Sequence, residues 1–369
     1  MLKIKSIEVY KIKLPLKEGK YSWSHGNSVS TFDSTVVKVN TQYPNIYGFG
    51  EVCTLGPAYL PAYPEGVREG IKKFGKLLIG SDPTEINKIN DLMDSGLKGH
   101  NYTKSPIDIA CWDILGKYTE QPLWKLLGGK YGNFVDLYRA ISQEEPKTML
   151  KKVKKYKKEG YSKFQLKVGG NPDDDIDRIK LIRSALSKKD VLVADANTGW
   201  LMHDALRVIK DTEYLDVYYE QPCITYEECL SIRKKTTNPF ILDESIQSIN
   251  DFLRAYNDRA MDIINIKISK LGGITKSRVL RDLCIELGIS MTIEDSWGGD
   301  IATSAISHLS HSTPEKFRFS STDFNSYNTL SYSKNSPKRK EGKFSASNNP
   351  GLGLTVDLKK LGRPLFKII

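Results

Sequence analysis

The sequence contains no long apolar run and few cysteines. No apolar stretch approaches the roughly 20 residues that a helix needs to cross a bilayer, which excludes a membrane-spanning helical protein. The five cysteines form no CxxC pair, and their odd number leaves one over, so neither a disulfide framework nor a zinc knuckle is indicated. Such cysteines suit a reducing compartment, and we expect a cytoplasmic protein with no membrane partner.

The pattern of the N-terminal segment predicts a strand, and we expect no secretory signal there. The segment MLKIKSIEVY alternates lysine with apolar residues, whereas a signal needs an unbroken apolar stretch and a small-residue cleavage site. The alternation predicts a strand, and we expect the mature chain to begin at Met1.

Acidic residues are the minority among the charged ones, and the net charge is +11. The lysines are spread along the chain, and no nucleic-acid-binding motif accompanies them. The densest run, KTMLKKVKKYKKEG, keeps Met149, Val153 and Tyr156 at helical spacing, which predicts an amphipathic helix with lysines on its solvent face. We therefore expect no nucleic-acid partner. A modest positive field that attracts anionic small molecules remains compatible with this charge.

The first third of the chain predicts a small α+β domain, residues 1–125. Two β-rich runs within residues 34–52 flank a polar turn with Pro44 and Asn45, which indicates a hairpin. A helical pattern begins near Pro64. The segment SPIDIACWDILGKY predicts a second helix that begins at Ser105 and Pro106.

Residues 126–325 repeat a β-rich run followed by a helical stretch. There are eight such runs: VDLYRA, KFQLKV, VLVAD, DVYYE, FILD, DIINIK, ISMTIE and FRFSST. Eight consecutive βα units favour a closed (β/α)8 barrel of the TIM type over an open sheet. The tail, residues 326–369, is irregular and is expected to fold back onto the first domain, with a solvated lysine- and asparagine-rich loop near Asn335.

Polar residues close six of the eight runs. They are Lys167, Asp195, Glu220, Asp243, Lys267 and Glu294, at intervals of 28, 25, 23, 24 and 27 residues. In a parallel barrel these positions gather on one rim, where barrels of this type place their active sites. The six residues are thus expected to lie together.

Three consecutive units end in a carboxylate, namely Asp195, Glu220 and Asp243. Three anions forced together repel one another unless a cation joins them, and oxygen ligands without nearby histidine or cysteine favour Mg²⁺. A single carboxylate here could simply cap the following helix. Three in register predict a metal site.

Lys167 and Lys267 flank these three units. One such lysine could snorkel to the rim or pair with a neighbouring carboxylate. Two lysines on opposite sides of a metal cluster instead suggest a pair of acid/base groups that face opposite sides of a substrate. We expect desolvation and the nearby metal ion to lower the lysine pKa toward the range of a usable base.

These motifs together resemble the enolase superfamily, specifically the mandelate racemase/muconate lactonizing enzyme family, over nearly the whole chain. The resemblance implies a modified, enolase-like barrel under an α+β capping domain built from both termini. It also implies one Mg²⁺ per subunit, replaceable by Mn²⁺, on Asp195, Glu220 and Asp243. Lys167 and Lys267 would be the catalytic bases beside an ene-diolate intermediate. Homo-oligomers are common among such proteins, and we expect one here.

The sequence departs from parts of the family pattern. The Lys-x-Lys pair at the second strand is replaced by Gln165 and Lys167, and the seventh strand ends MTIEDSWGG without the histidine of mandelate racemase. Dipeptide epimerases carry Asp-x-Asp at the eighth strand, whereas here Asp323 is followed by Asn325. Lys167 keeps the proton-transfer role, and Gln165 becomes a candidate donor to the substrate carboxylate.

Longer motifs are similar to the cis-3-hydroxy-L-proline dehydratases of this superfamily. They include YSWSHGNSVSTFDSTVVKV, EVCTLGPAYLPAY, LKGHNYTKSPIDIACWDILGK, IEDSWGGDIATSAISHLSHSTP and STDFNSYNTL. The proline-betaine and hydroxyproline-betaine epimerases share several of these elements. The resemblance implies a small-molecule substrate, a proline-ring carboxylate. Candidate substrate contacts are Gln165, Asn197, Asp295, Trp297, Asp323, Trp23, His25 and Tyr59.

The function expected from the resemblance is Mg²⁺-dependent dehydration of cis-3-hydroxy-L-proline to 1-pyrroline-2-carboxylate, the reaction of a hydro-lyase. The alternative is racemisation or epimerisation of proline-betaine, hydroxyproline-betaine or another amino acid by the same lysines. A non-catalytic barrel that binds a metal-carboxylate ligand is a third reading, but it would be favoured only if one of the five rim residues were lost. For Asp295, a role as a partner of Lys267 or as a helix cap competes with substrate contact. For Trp23 and Tyr59, packing between the domains competes with it.

Overall fold

A computed structural model describes residues 2–369, and Met1, where the mature chain is expected to begin, lies outside that range. The N-terminal part combines a small antiparallel sheet with helices. Its elements are β1 (Ile4–Pro15), β2 (Tyr21–Ser22), β3 (Ser28–Val29), β4 (Thr31–Thr41), β5 (Tyr47–Val52), α1 (Pro64–Phe74), α2 (Ile86–Gly96), α3 (Asn101–Tyr118) and α4 (Leu123–Leu126), with 3₁₀ turns at Ser24–Gly26 and Gly75–Leu78. Strands β4 and β5 form the predicted hairpin, in which Thr35 faces Val52.

Helix α3 packs directly on β5, and glycine makes this close approach possible. A Cβ atom added to Gly50 would lie 1.8 Å from the backbone oxygen of Pro106, and one added to Gly48 would lie 2.0 Å from that of Ala110. The helix begins at Asn101, earlier than the expected start at Ser105, so Pro106 lies inside it. Contacts with the barrel stabilise the extra turn, since the Asn101 side-chain amide donates to the Lys270 carbonyl at 3.0 Å.

The substitution Gly50→Ala is expected to destabilise the protein by about 3 kcal/mol or more, because the backbone of α3 would have to move away from β5. Urea unfolding measures this change. Gly170→Ala is the matched control, since its Cβ would meet no backbone and only the flexible ends of Gln143, at 3.0 Å, and Arg178, at 4.0 Å. Equal stability of the two variants would contradict the close-approach argument.

The central part is a barrel of eight parallel strands in sequential order. Its strands are β7 (Tyr138–Ile141), β8 (Lys163–Lys167), β9 (Val191–Asp195), β10 (Tyr218–Glu220), β11 (Phe240–Leu242), β12 (Ile263–Lys267), β13 (Ser290–Glu294) and β14 (Arg318–Ser321), and the short strand β6 (Val135–Asp136) precedes them. A single bridge between Leu137 and Ser321 joins the first and last strands. Val193, Ile241 and Ile263 fill the interior below the strand ends.

Helices surround the barrel. They are α5 (Pro146–Lys158), α6 (Pro172–Ser184), α7 (Met202–Thr212), α8 (Tyr226–Arg233), α9 (Ile249–Asn257), α10 (Ile268–Leu271), α11 (Ile274–Glu286) and α12 (Asp300–His311). Helix α5 is the predicted amphipathic helix, because it buries Met149, Val153 and Tyr156 while most of its lysines face solvent. The predicted (β/α)8 barrel with an α+β capping domain is confirmed.

The C-terminal segment returns to the N-terminal sheet. After a 3₁₀ turn at Phe324–Tyr327, it forms β15 (Ser333–Lys334), β16 (Lys343–Phe344), β17 (Thr355–Val356), α13 (Leu358–Leu361) and β18 (Phe366–Ile368). Strand β18 pairs with β1, and the capping sheet has the order β18-β1-β4-β5. The domain limits at residues 125 and 325 stay predictions.

The loop near Asn335 is less solvated than expected. Asn335 is exposed, but Pro337 is buried and Arg339 donates to the Tyr161 hydroxyl at 2.8 Å and to Glu159 at 2.6 Å. The loop therefore packs on the outside of the barrel. Within the part of the chain that the structure describes, every helix falls short of the length or hydrophobicity of a transmembrane span.

Candidate active site

The strand ends bring the predicted catalytic residues together. Lys167, Asp195 and Glu220 occupy matching positions on three adjacent strands, β8 to β10, and Lys267 faces Glu294 across β12 and β13. This register follows from parallel pairing of strands that each end in a polar residue. Strands β8 and β12 lie four positions apart in an eight-stranded barrel, so Lys167 and Lys267 approach the centre from opposite sides.

Each of the three predicted metal carboxylates has a defined partner. Asp195 forms an ion pair with Lys167. Glu220 accepts hydrogen bonds from the side-chain amides of Gln165, at 3.0 and 3.1 Å, and of Asn265, at 2.7 Å.

Asp243 is the most heavily engaged of the three. It pairs with Lys267 and with Lys270, the latter at 2.9 Å, and it accepts a hydrogen bond from the Tyr59 hydroxyl at 2.8 Å. Although burial raises its pKa, the two lysines more than offset this effect and hold the pKa below its usual range.

Negative charge is in excess around these strand ends. Burial, together with the charges of Asp195 and Asp243, raises the pKa of Glu220 well above its usual value and that of Glu244 to about 8. Six buried carboxylates share the region with three buried ammonium groups: Asp195, Glu220, Asp243, Glu244, Glu294 and Asp295, against Lys167, Lys267 and Lys270. Crowded carboxylates of this kind are stabilised by a divalent cation.

The donor set suits a hard cation such as Mg²⁺ because it consists of carboxylate and amide oxygens. Buried oxygen atoms of Asn197 and Glu244 lack a hydrogen-bond partner and are available to such an ion or to its water shell. Among residues 2–369, however, no three acidic, histidine or cysteine side chains converge tightly enough to form a ready metal centre. The lysines stand between the carboxylates instead, so a bound cation would have to displace these ion pairs.

The lysine pKa values differ from the expectation. Burial lowers the pKa of Lys167, but Asp195 and Tyr21 more than offset this effect, so the pKa lies above its usual value. The same competition between burial and Asp243 raises the pKa of Lys267. Pairing with a neighbouring carboxylate, the alternative considered for a single lysine, occurs at both lysines and outweighs desolvation.

Five of the eight candidate substrate contacts line one small cavity at the barrel mouth: Tyr59, Gln165, Asn197, Asp295 and Trp297. Lys167 and Lys267, the predicted catalytic lysines, line the same cavity. The Tyr59 hydroxyl accepts a hydrogen bond from Lys267, so this residue of the capping domain directly contacts one of them.

Asp295 lines the cavity but is engaged in local structure. It accepts hydrogen bonds from the Ser269 hydroxyl, from the Ser269 backbone N–H at 3.1 Å and from the Ser296 backbone N–H at 2.7 Å. These contacts favour the helix-cap role over direct pairing with Lys267. Burial raises its pKa to about 7.

The structure does not place Trp23, His25 and Asp323 on the cavity wall. Trp23 is buried beside Tyr21, with ring centroids 6.1 Å apart, which corresponds to the packing role. His25 is exposed at the surface. Asp323 accepts a hydrogen bond from Tyr161 at 3.2 Å and lies 4.0 Å from Arg339. Substrate contact by these three residues stays a prediction, since Trp23 packs beside Tyr21, His25 is exposed and Asp323 is held by Tyr161 and Arg339.

The predicted substrate contacts omitted several residues of the cavity wall, namely Tyr21, Leu55, Tyr138, Ala140, Ser296 and Phe324, and also Glu294, which was expected on the rim without a role. Glu294 carried a signal, since it closes the seventh run in the same way as the predicted ligands. Lys270, which pairs with Asp243, also carried one, because it lies three residues after Lys267 on the short helix that follows β12. The aromatic residues carried none, since any buried ring can serve as core.

Aromatic rings form one side of the cavity. Trp297 stacks on Phe32 and Phe324, with ring centroids 4.3 and 4.8 Å apart, and Tyr21 lies 5.1 Å away. The Trp297 indole N–H donates to Asn328 at 3.2 Å. Trp297 is therefore held in place by three rings and one hydrogen bond, and it gives the cavity an aromatic wall.

A roomier cleft of about 550 Å³ lies behind the cavity, between α1 and the loop before α3. Lys270 and Tyr102 belong to its wall, but Lys167 and Lys267 do not. The Tyr102 hydroxyl contacts Ser296 at 2.7 Å, so a thin layer separates the cleft from the cavity. The predicted catalytic residues thus face the smaller space.

Two family models match the chain. The mandelate racemase/muconate lactonizing enzyme N-terminal domain matches residues 21–128, and the enolase C-terminal domain-like model matches residues 148–360. These matches cover the capping domain and the barrel separately.

Individual proteins agree with these models. A cis-3-hydroxy-L-proline dehydratase of Roseibium aggregatum is 56% identical over 99% of this chain and 100% of that protein. An N-succinyl-L-Arg/Lys racemase of Bacillus cereus is 30% identical over 84% of this chain and 85% of that protein.

Solved structures share the complete fold. A mandelate racemase/muconate lactonizing enzyme of Roseovarius nubinhibens has a TM-score of 0.96 at 38% identity, covering 100% of this chain and 99% of that one. A second structure from that organism, described as complexed with magnesium, has a TM-score of 0.95 at 30% identity and covers all of both chains. The chain belongs to the enolase superfamily, in the mandelate racemase/muconate lactonizing enzyme family, and is an enzyme of that group.

Proposed function

We propose that this enzyme dehydrates cis-3-hydroxy-L-proline to 1-pyrroline-2-carboxylate with Mg²⁺ as its cofactor. The observation that carries this proposal is the full-length similarity, at 56% identity, to a dehydratase of that specificity. The two lysines on opposite sides of the cavity give the proposal a chemical basis. A homo-oligomer and a cytoplasmic location stay predictions from the sequence.

The geometry of the substrate fits two opposed lysines. In cis-3-hydroxy-L-proline the carboxylate and hydroxyl lie on the same ring face, so the α-hydrogen and the hydroxyl lie on opposite faces. Lys167 removes the α-proton from one face, and the Lys267 ammonium protonates the departing hydroxyl on the other. The enamine product then tautomerises to 1-pyrroline-2-carboxylate.

Asp195, Glu220 and Asp243 would hold the cofactor. When bound, Mg²⁺ neutralises the negative charge that develops on the substrate carboxylate as the α-proton leaves. The Gln165 side-chain amide donates to Glu220, and in the complex it can donate a hydrogen bond to the substrate carboxylate. Before Lys167 can accept a proton, its ammonium must leave the ion pair with Asp195 and release a proton to solvent, and metal binding to Asp195 would favour both changes.

The decisive experiment incubates the enzyme with Mg²⁺ and each hydroxyproline isomer in deuterated water. Pyrroline formation and α-deuterium exchange are followed together. We expect pyrroline from the cis-3 isomer and none from the trans-3 isomer, whose α-hydrogen and hydroxyl share a face. Exchange without pyrroline from any isomer would contradict the dehydratase proposal.

Epimerisation of a proline betaine is the second candidate. The aromatic wall of Trp297, Phe324 and Tyr21 favours it, because aromatic faces attract quaternary ammonium groups. The same two lysines would then exchange the α-proton between faces. This alternative would be established if proline betaine exchanged its α-hydrogen for deuterium and inverted its α-carbon faster than cis-3-hydroxy-L-proline formed pyrroline.

A further inference from the structure

We infer that Glu294 binds the ring ammonium of the substrate and selects secondary amines over quaternary ammonium and neutral rings. This inference rests on the proposed function, since it concerns the substrate class of the same cavity. Glu294 closes β13 beside Lys267 and is 1% exposed. The sequence and the comparisons assign it no role.

The cavity has two chemically different halves. Strands β9 to β11 supply the predicted metal carboxylates, which would engage the substrate carboxylate. Strands β13, β14 and β7, with the segments that follow them, supply Glu294, Trp297, Phe324, Tyr138 and Ala140. With the α-carbon between the two lysines, the ring projects into this second half. The ring nitrogen is bonded to the α-carbon and must find its partner there.

The contacts of Glu294 leave one oxygen available. Its Oε2 accepts a hydrogen bond from the Tyr138 hydroxyl, which fixes the side chain. Its Oε1 is buried, makes no hydrogen bond and forms an ion pair with the Lys267 nitrogen at 3.3 Å. Lys267 gives its hydrogen bonds to Asp243 and to the Tyr59 hydroxyl. A buried carboxylate oxygen in a cavity wall that makes no hydrogen bond is stabilised when a ligand donates one to it.

The other carboxylates of this half are excluded by their contacts. Asp295 already accepts three hydrogen bonds from Ser269 and Ser296. Asp323 lies off the cavity wall, beside Tyr161 and Arg339. Glu294 is therefore the carboxylate that a ring ammonium can reach, and Trp297 and Phe324 add aromatic faces around the same cation.

The position of Glu294 predicts which ring heteroatoms the cavity prefers. A secondary ammonium carries two N–H donors and a charge, and it gains a charge-assisted hydrogen bond to Glu294. A quaternary ammonium has no donor, and its methyl groups would occupy the space before the carboxylate. A ring oxygen has neither charge nor donor and would leave Glu294 unpaired.

The test compares the affinities of L-proline and tetrahydrofuran-2-carboxylate, which differ at the ring heteroatom, by calorimetry in Mg²⁺. We expect the wild-type protein to prefer L-proline by roughly 10- to 100-fold, the effect of one hydrogen bond to a charged group. In Glu294→Gln this preference should fall to a few-fold, while the affinity for the furan acid is kept or improved. The ratio within one variant is independent of overall losses in folding or activity.

Other outcomes separate this inference from the proposed function. An unchanged ratio in Glu294→Gln overturns the inference, even if turnover falls, because Glu294 would then act only on Lys267. Binding of neither ring acid to the wild-type protein overturns the proposed function itself. Proline betaine is the third ligand, and we expect Glu294→Gln to bind it no more weakly than the wild-type protein does.

Discussion

Lys267→Met is expected to lower the rate of pyrroline formation by about 10²- to 10⁴-fold, the range that a general acid contributes. Methionine keeps most of the side-chain volume and removes the amine. If Lys167 removes the α-proton, the variant should still exchange the α-hydrogen of cis-3-hydroxy-L-proline for deuterium. Lys167→Met should lose both activities. Nuclear magnetic resonance in deuterated water measures exchange and elimination in the same sample.

Lys163→Met is the matched control for these two variants. Lys163 begins the strand that Lys167 ends, it is partly buried, and its ammonium donates to the Phe319 carbonyl. We expect its turnover to stay within a few-fold of the wild-type value. If exchange survives in Lys167→Met but not in Lys267→Met, the two roles are reversed. Full activity of Lys267→Met would refute its assignment as the acid.

Glu220→Gln is expected to abolish both activity and stabilisation of the fold by Mg²⁺. A ligand present at 100 times its Kd stabilises a protein by about 2.7 kcal/mol, and this increment should disappear. The stability without metal should change little, because Glu220 is held by the amides of Gln165 and Asn265, which a glutamine can also bind. Thermal unfolding with and without Mg²⁺ measures both quantities.

Asp243→Asn should behave differently from Glu220→Gln. It leaves the Lys267 and Lys270 ammonium groups without their carboxylate, and breaking a buried ion pair costs about 3–5 kcal/mol. This variant should therefore be destabilised even without metal. Glu51→Gln is the control, because Glu51 is a buried carboxylate that binds Gly299, Ala302 and Tyr332 away from the metal residues. If Mg²⁺ still stabilises Glu220→Gln against thermal unfolding, the assignment of Glu220 as a metal ligand is contradicted.

The sequence predicted a residue's position well where the residue marks the end of its own strand. A polar residue that ends an apolar run is a local signal, and parallel pairing then brings these ends together without further information. This reasoning located Lys167, Asp195 and Glu220 in register. It also predicted α5, because three apolar residues at helical spacing are sufficient to define its buried face.

The same reasoning was weaker where a side chain could point in several directions. Asp323 follows an eighth-strand run just as Asp195 ends the third, yet its carboxylate turns to Tyr161. His25 lies in a motif shared with the dehydratases, yet its ring faces solvent. Loop residues have no repeating register, so neither sequence spacing nor a motif defines their direction.

The sequence by itself thus predicted the barrel and the positions on its rim, because these depend on a local pattern repeated eight times, and the resemblance of its motifs indicated the family. Only the tertiary structure decided which groups meet across the domains. Tyr59 lies 208 residues from Lys267 and meets it because the capping domain packs over the barrel mouth. Glu294 likewise faces Tyr138 across the last strands of the barrel, 156 residues away. Contacts over such separations depend on how complete elements pack, which no local pattern encodes.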